Sequence, residues 1–361
     1  MKVVKNILIL GGYGRAGKNI AHLLGKYSCY NVKIAGRNIE AANECAFAIN
    51  DELNIGRISS KKVDVKDKGE LVNALKDVDL VVVCLPLDGQ LTENLIHAIL
   101  NSNCKTYLDI SPGKEKHRAF QINQQLIDES DKIFVVDAGC EPGMPSVLIR
   151  FLKTINSEIR KVKVNVVYRE RDMPDASIQD LLSHNEKGLI LEDGVWKEAK
   201  NSIKKISFPM NFGKLRTVPV WIPELENIHL EAQITDLEYR HAGINGVSNI
   251  VSLLWKSLLN YILPVKTGVK LFNWAIKRFT KEPLGGLLIV EGNDGTEKTT
   301  IQGYHKDIYV ATAIPAAATA ILVLKNSADS PGSYFMNEVV NIPEFIAQCG
   351  KMGFEIKVQS S

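Results

Sequence analysis

The stretch that most constrains this chain lies near its start. Asn6-Ile-Leu-Ile-Leu10 is an apolar run of strand length, and Gly11-Gly-Tyr-Gly-Arg-Ala-Gly17 follows it as a glycine-rich turn. Lys18-Asn-Ile-Ala-His-Leu-Leu24 then spaces Ile20, Leu23 and Leu24 for one helix face. Gly12, Gly14 and Gly17 stand in G-x-G-x-x-G register inside a strand–turn–helix context, which is what a dinucleotide fingerprint requires. The glycines permit a tight turn, backbone approach to a pyrophosphate and close helix–strand packing, with the phosphates at the positive helix N-terminus. The competing reading is a glycine-rich turn with no ligand.

The second strand, Asn31-Val-Lys-Ile-Ala35, ends in Gly36-Arg37-Asn38. An NAD site places Asp or Glu about twenty residues past the glycines to bond the ribose 2′-hydroxyl. Here that position is Gly36, followed by Arg37. Losing the carboxylate removes repulsion against a 2′-phosphate, and a guanidinium is its natural bidentate partner. NADP is therefore the expected cofactor, with NAD the alternative. A solvated loop charge is the plainer explanation of Arg37.

Strand and helix patterns alternate to about residue 136, with strands expected at 6–10, 31–35, 60–65, 79–84, 105–109 and 132–136. The expected fold class is α/β, a Rossmann-type doubly wound parallel sheet with a second α/β (α+β) domain. Residues 1–145 are expected to form the first domain and 146–304 the second. A helix over 306–325 is expected to return to the first, with the C-terminal tail a candidate to join it. In the second domain, Lys161–Arg169 alternates as a half-buried strand, and 203–208 and 228–234 look strand-like. Residues 246–281 are mostly helical. Leu287–Glu291 and Thr299–Tyr304 flank Gly292-Asn-Asp-Gly295 as a hairpin. Glu291–Thr300 also mimics a phosphate loop, but Glu297 stands before Lys298 where such a loop needs Gly.

With 361 residues, two domains are the natural division. A net charge of +3 without a Lys/Arg tract gives no reason to expect nucleic acid. The six cysteines are scattered without a C-x-x-C, and no His, Cys and carboxylate spacing points to a metal. Reduced thiols and an immediate first strand lead us to expect a cytoplasmic protein without a signal peptide. Tyr309–Leu324 is uncharged but short of a bilayer span and contains Pro315, so a buried helix is expected rather than an integral membrane segment. Residues 255–282 mix Trp255, Phe272, Trp274 and Phe279 with six cations against one acid, Glu282. Such helices can lie on anionic membranes. A solvated helical hairpin capping the second domain is the expectation.

Ligands of doubly wound sheets bind outside the strand C-termini. Cys84-Leu85-Pro86, Asp109-Ile-Ser-Pro-Gly113 and Asp137-Ala-Gly-Cys-Glu-Pro-Gly-Met-Pro145 meet there, and Asp64 closes the third strand beside the expected adenine. The candidate cofactor contacts are Gly12, Tyr13, Gly14, Arg15, Ala16, Gly17, Arg37, Asn38, Asp64, Val65, Cys84, Leu85 and Pro86. Cys84 and Cys140 read as small packing residues.

Gly11–Gly17, Val63-Asp-Val65, Tyr107-Leu-Asp-Ile-Ser111, Gly139-Cys-Glu-Pro-Gly143 and Tyr309–Ala317 resemble the saccharopine dehydrogenase-like oxidoreductases. That family includes saccharopine reductases, a lysine dehydrogenase and carboxynorspermidine dehydrogenases. The resemblance covers the first 150 residues and the 300–325 helix, and is loose between them. It implies an NAD(P)-binding domain, a second domain that often dimerises, and hydride transfer at a carbon–nitrogen bond of an amino acid or imine. By position it assigns Gly12, Gly14, Gly17, Arg37, Asp64 and Leu85 to the cofactor and Glu141 to the substrate side. Cys140-Glu141 replaces the family's Phe/Leu-Asp, and Met144-Pro145 lacks its usual His. Both departures weigh against saccharopine itself.

Imine reduction needs a proton carrier near nitrogen and a cation for a substrate carboxylate. Glu141, Asp109 and His241 are the candidate proton carriers, with His184 and His305 behind them. Arg169, Arg171 and Arg240 are either carboxylate clamps or solvated strand charges. The alternatives are a carbon–carbon double-bond reductase on the same scaffold and a non-catalytic NADP-binding regulatory protein. A small-molecule substrate and a homodimer are the expected partners.

Overall fold

In a computed structural model, residues 4–183, 188–199, 202–326 and 330–360 are described. They divide into two compact units, Met1–Val147 with Thr312–Phe354, and Leu148–Ala311 with Glu355–Ser361.

The first unit is a parallel sheet flanked by helices. Its strands are β1 (Asn6–Leu10), β2 (Asn31–Gly36), β3 (Ile58–Lys62), β4 (Leu80–Val83), β5 (Thr106–Asp109) and β6 (Ile133–Val136). A seventh strand, Gly332–Phe335, pairs in parallel with β6 and completes the order Gly332–Phe335, β6, β5, β4, β1, β2, β3. This is the expected doubly wound α/β sheet, with one edge strand more than the sequence suggested. Four residues carrying two aromatics make too weak an alternation to recognise. Strand β3 runs over Ile58–Lys62 rather than 60–65, and the Val63 amide makes its last bond to β2, on the Gly36 carbonyl. Ile7 to Leu10 and Leu80 to Val83 are fully covered, as central strands sandwiched between helix layers must be. Helix α1 (Arg15–Tyr27) buries Ile20, Ala21, Leu23 and Leu24 against this sheet's core, as its spacing predicts.

The helix Ile308–Asn326 is 19 residues long, so by length and composition it could cross a membrane, which corrects the expectation that the segment is too short. Most of its apolar window is buried: Ala313, Ile314, Ala316, Ala317, Ala318 and Ala320 are fully covered. Alanine suits a helix that must approach its neighbours closely.

The second unit is built on a mixed nine-stranded sheet. Its strands are β7 (Lys161–Arg169), β8 (Leu189–Glu192), β9 (Val195–Glu198), β10 (Lys204–Phe208), β11 (Gly213–Pro219), β12 (Asp236–Ala242), β13 (Gly285–Asn293) and β14 (Lys298–His305). The last strand, Glu355–Ser360, pairs antiparallel with β14, so the end of the chain joins this sheet. The principal order is β10-β11-β12-β7-β13-β14-Glu355–Ser360. Residues 228–234 are not a strand. Leu225–Glu231 is a helix that buries Leu225 and Ile228 one turn apart, leaving Leu230 exposed. The alternation Ile228, Leu230, Ala232, Ile234 imitated a strand. The hairpin over 285–305 forms as expected, and Asp294 Oδ1 accepts the Thr296 and Glu297 amides at 2.8 Å each. Those amides are thus engaged within the turn rather than facing a phosphate.

Candidate functional site

The glycine turn is tied to its neighbours at the carboxyl edge of the first sheet. Gly11 and Gly12 amides both donate to the Ala35 carbonyl, at 2.9 and 3.2 Å. Gly11 has φ +75°, and a Cβ there would stand 2.7 Å from Leu85 Cδ2 and 2.8 Å from the Cys84 carbonyl. A Cβ at Gly17 would meet the Gly11 carbonyl and stand 2.8 Å from Gly12 Cα. Gly17 therefore sets how closely α1 approaches its own turn. Gly14 differs: it is exposed, caps α1, and its Cβ would touch only the Gly11 carbonyl, at 3.1 Å. No acidic side chain lies in the first turn of α1, whose leading amides lack helical acceptors. That cradle suits a diphosphate.

Tyr13 reaches from the turn to the end of β2. A Cβ at Gly36 would lie 2.9 Å from the Tyr13 ring carbon Cζ, and the Tyr13 hydroxyl accepts the Asn38 amide at 3.3 Å. Asn38 caps helix α2 (Ile39–Leu53), its Oδ1 accepting the Ala41 amide at 3.0 Å. Arg37 beside it is exposed and makes no ion pair among the described residues. Asp64 accepts the Lys66 amide at 3.0 Å, Val65 packs on the core, and Pro86 is exposed. Ser111 Oγ donates to the Leu85 carbonyl at 2.7 Å, joining the β4 and β5 loops. Burial, with the Asp109 carboxylate beside it, pushes the Cys84 thiol well up, so it is no nucleophile at neutral pH.

Asp109 corrects an expectation. Far from facing a substrate, it is wholly buried. Its Oδ1 accepts Lys116 Nζ at 2.6 Å and the Asp137 amide at 3.3 Å, and its Oδ2 accepts the Tyr107 hydroxyl at 2.9 Å. Lys116, also fully buried, donates as well to Asp137 Oδ1 and the Ser111 carbonyl. His117 Nε2 lies 2.9 Å from Asp137 Oδ2. Burial and the Asp137 charge raise the Asp109 carboxyl, with Lys116 opposing them. Burial would raise Asp137 too, but Lys116 and His117 hold it below the usual carboxylate range. Two carboxylates in turn keep the Lys116 ammonium charged despite its burial. Asp109 is thus engaged by Tyr107, Lys116 and the Asp137 amide inside the sheet's edge.

Glu141 is presented differently. From Phe134 to Val147 every residue is buried except Glu141. The Gly139 amide donates to the Pro142 carbonyl at 3.1 Å, and the Ala138 amide to the Asp109 carbonyl at 2.8 Å. Gly143 has φ +125°, and a Cβ there would lie 2.5 Å from the Asp137 and Gly139 carbonyls. A closed, buried turn thereby holds up one partly exposed carboxylate.

In the second unit, His241 lies on β12, partly exposed, with its ring 5.5 Å from that of Tyr168. Arg240 is buried on Thr217, Glu238 and Ser202, with Nε donating to Thr217 Oγ1 at 2.9 Å. Arg169 donates to the Phe212 and Glu282 carbonyls, and Arg171 to the Thr280 carbonyl. All three bond backbone of their own unit, where the sequence left either a carboxylate clamp or a solvated strand charge. His305 bonds backbone at Asp307, and His184 lies outside the described residues. Among the described residues no His, Cys and carboxylate group could hold a metal.

Residues 7–134 match the family described as saccharopine dehydrogenase NADP binding domain. That match lies within the first unit. Across 99% of this chain and 100% of its own, saccharopine dehydrogenase (L-Glu forming) from Saccharomyces cerevisiae shares the fold, with TM-score 0.68 and 13% identity. Homospermidine synthase from Legionella pneumophila in complex with NAD covers 99% of this chain and 91% of its own, at TM-score 0.63 and 11% identity. No curated protein matches the chain in sequence.

The residues present fit the cofactor of a saccharopine dehydrogenase NADP-binding domain. Gly14 leaves space at a helix N-terminus without acids, and Gly36 removes the carboxylate that would repel a 2′-phosphate. Sequence reasoning did not single out Lys116. Its spacing was the available signal, because Lys116, Ala119 and Phe120 share the buried face of the helix Lys114–Ile122.

Proposed function

We propose that the chain is an NADP-dependent oxidoreductase of saccharopine dehydrogenase type, acting at a carbon–nitrogen bond of an amino acid or its imine. The observation that carries this reading is Glu141, a single partly exposed carboxylate raised from a buried turn of an NADP-binding domain. When bound, the nicotinamide supplies or accepts a hydride. Gly12, Gly14 and the first-turn amides of α1 would hold the pyrophosphate, and Arg37 the 2′-phosphate. The Tyr13 ring, fixed over Gly36, would shape the ribose side. Glu141 would carry the proton at the substrate nitrogen, its backbone held by Pro142 and Gly143. Lys116 would keep the loops after β5 and β6 in register by bonding Asp109, Ser111 and Asp137 together.

The saccharopine dehydrogenase whose fold matches forms L-Glu, and homospermidine synthase makes an amine. Both names support nitrogen chemistry for this chain. NADPH oxidation against a panel of amines paired with 2-oxoacids or aldehydes tests the proposal. We expect one or more pairs to be turned over with NADPH preferred to NADH. Turnover of conjugated alkenes instead, or NADPH binding with no turnover of any pair, would overturn it.

A further inference from the structure

Two helices of the second unit, Gly246–Ser257 and Val265–Phe279, form a hairpin with an unusual outer surface. Its inner face is fully accounted for. Trp255, Val269, Phe272 and Ile276 form a core with Ile178 and Leu182, and a Cβ at Gly268 would strike the Trp255 ring at 2.6 Å. The outer face of the first helix should then be polar. Instead Ile250, Leu253, Leu254 and Leu258 repeat at helical spacing and are exposed, Leu253 by 67%. The connection Leu258–Val265 contains no charge, and Tyr261 and Ile262 at its tip are 81% and 67% exposed. On the second helix Trp274 is 55% exposed and meets Phe279 edge to face at 5.3 Å. Contiguous exposure on this scale marks an interaction surface.

Charge decides the occupant. Residues 245–281 contain Lys256, Lys266, Lys270, Lys277, Arg278 and Lys281 and no carboxylate. Asp172 pairs with Lys277 at 3.3 Å, while Lys266 and Lys270 are exposed beside the apolar tip. A second copy of the chain would meet this face through a two-fold axis, setting cations against cations. An anionic lipid surface takes both features at once, Leu, Ile and Trp entering the acyl boundary and Lys meeting the headgroups.

We propose that this hairpin docks the protein on anionic membranes, as a peripheral contact made by the Leu258–Val265 tip and the cations beside it. The test is co-sedimentation of the full chain with vesicles of phosphatidylcholine plus phosphatidylserine, and of phosphatidylcholine alone. We expect sedimentation with the anionic vesicles only, released by salt. Ile262→Asp with Leu263→Asp should abolish it. Lys266→Glu with Lys270→Glu should lower the bound fraction at least tenfold, since each cation near an anionic surface is worth about fivefold. All four positions are exposed, so circular dichroism should be unchanged. If the tip variant misfolds, the charge variant decides alone. Failure to sediment with anionic vesicles, or equal sedimentation with both kinds, would overturn the proposal. A dimer in light scattering that the tip variant dissociates, without vesicle binding, would give the face to a second copy.

Discussion

The Tyr13 ring occupies the space that a side chain at residue 36 would need, with Cζ and the hydroxyl each 2.9 Å from the position of a Cβ on Gly36. The acidic ribose reader of an NAD site is thus absent for a steric reason as well as an electrostatic one, and Arg37 stands exposed beside the gap. Two outcomes are expected. Arg37→Ala should weaken NADPH by about 1.5–3 kcal/mol and leave NADH nearly unchanged, the scale of a charge-assisted bond. Gly36→Asp should gain NADH affinity only together with Tyr13→Ala, with a coupling of about 0.5–3 kcal/mol between them. Calorimetric titration of the four proteins with both cofactors measures each term. Equal losses of NADH and NADPH in Arg37→Ala would remove the 2′-phosphate role.

Gly14 and Gly17 belong to one motif but face different surroundings, so their substitution should separate binding from stability. Gly14→Val places a branched side chain at the exposed start of α1, where φ is already −69° and the one close neighbour is the Gly11 carbonyl at 3.1 Å. NADPH binding should be lost with the melting curve almost unmoved. Gly17→Val drives its Cβ into the Gly11 carbonyl and Gly12 Cα, both backbone, and should lower stability by several kcal/mol. Retained micromolar NADPH affinity in Gly14→Val would sink the pyrophosphate assignment.

Lys116 holds two buried carboxylates, so its removal tests the network directly. Lys116→Met should cost about 3–5 kcal/mol, the penalty of leaving a buried charge unpaired. The sign of the pH dependence follows from the same contacts. In the native protein the Asp137 carboxyl lies below its usual range, so its stabilisation is present above that range and lost as pH falls through the folded value. Without the ammonium, burial dominates, and both carboxyls should rise above their unfolded value of about 3.9. A raised carboxyl favours the fold at low pH and loses that advantage as pH rises. The deficit of Lys116→Met should therefore widen from about pH 4 to about pH 7 in urea titrations. A deficit independent of pH would mean that the cluster acts by packing alone.

The sheet of the first unit was legible because both its signals are local. The short β-branched run Leu80–Val83 suits a strand covered on both faces, and G-x-G-x-x-G states its own turn. The Leu225–Glu231 helix was misjudged because Ile228, Leu230, Ala232 and Ile234 satisfy period two while Leu225 and Ile228 satisfy the helical period. Side-chain roles were less legible, since they depend on distant partners. Arg240 is committed to Thr217 and Ser202, and Asp109 to Lys116, through pairings that sequence spacing does not encode. Glu141 was legible as a position. Its isolation among buried neighbours emerges only from the folded turn.

That isolation leads to the sharpest expectation for the chemistry. The turn Asp137–Gly143 is closed by the Gly139 amide on the Pro142 carbonyl and packed so tightly at Gly143 that a Cβ would collide with two carbonyls. Glu141 is the one side chain it leaves partly exposed, so a glutamine there changes ionisation with little change in shape. If Glu141 passes the proton at nitrogen, Glu141→Gln should lower kcat by about 10²–10⁴ while NADPH affinity and thermal stability stay near those of the native protein. Glu141→Asp, which keeps the acid but shortens its reach, should fall between the two. Steady-state kinetics on the amine or imine substrate found with the panel, alongside NADPH titration, separates these outcomes. Turnover of Glu141→Gln within a few-fold of native would take Glu141 out of the mechanism. His241, partly exposed on β12 with its ring tilted against that of Tyr168, would then be the residue to replace next.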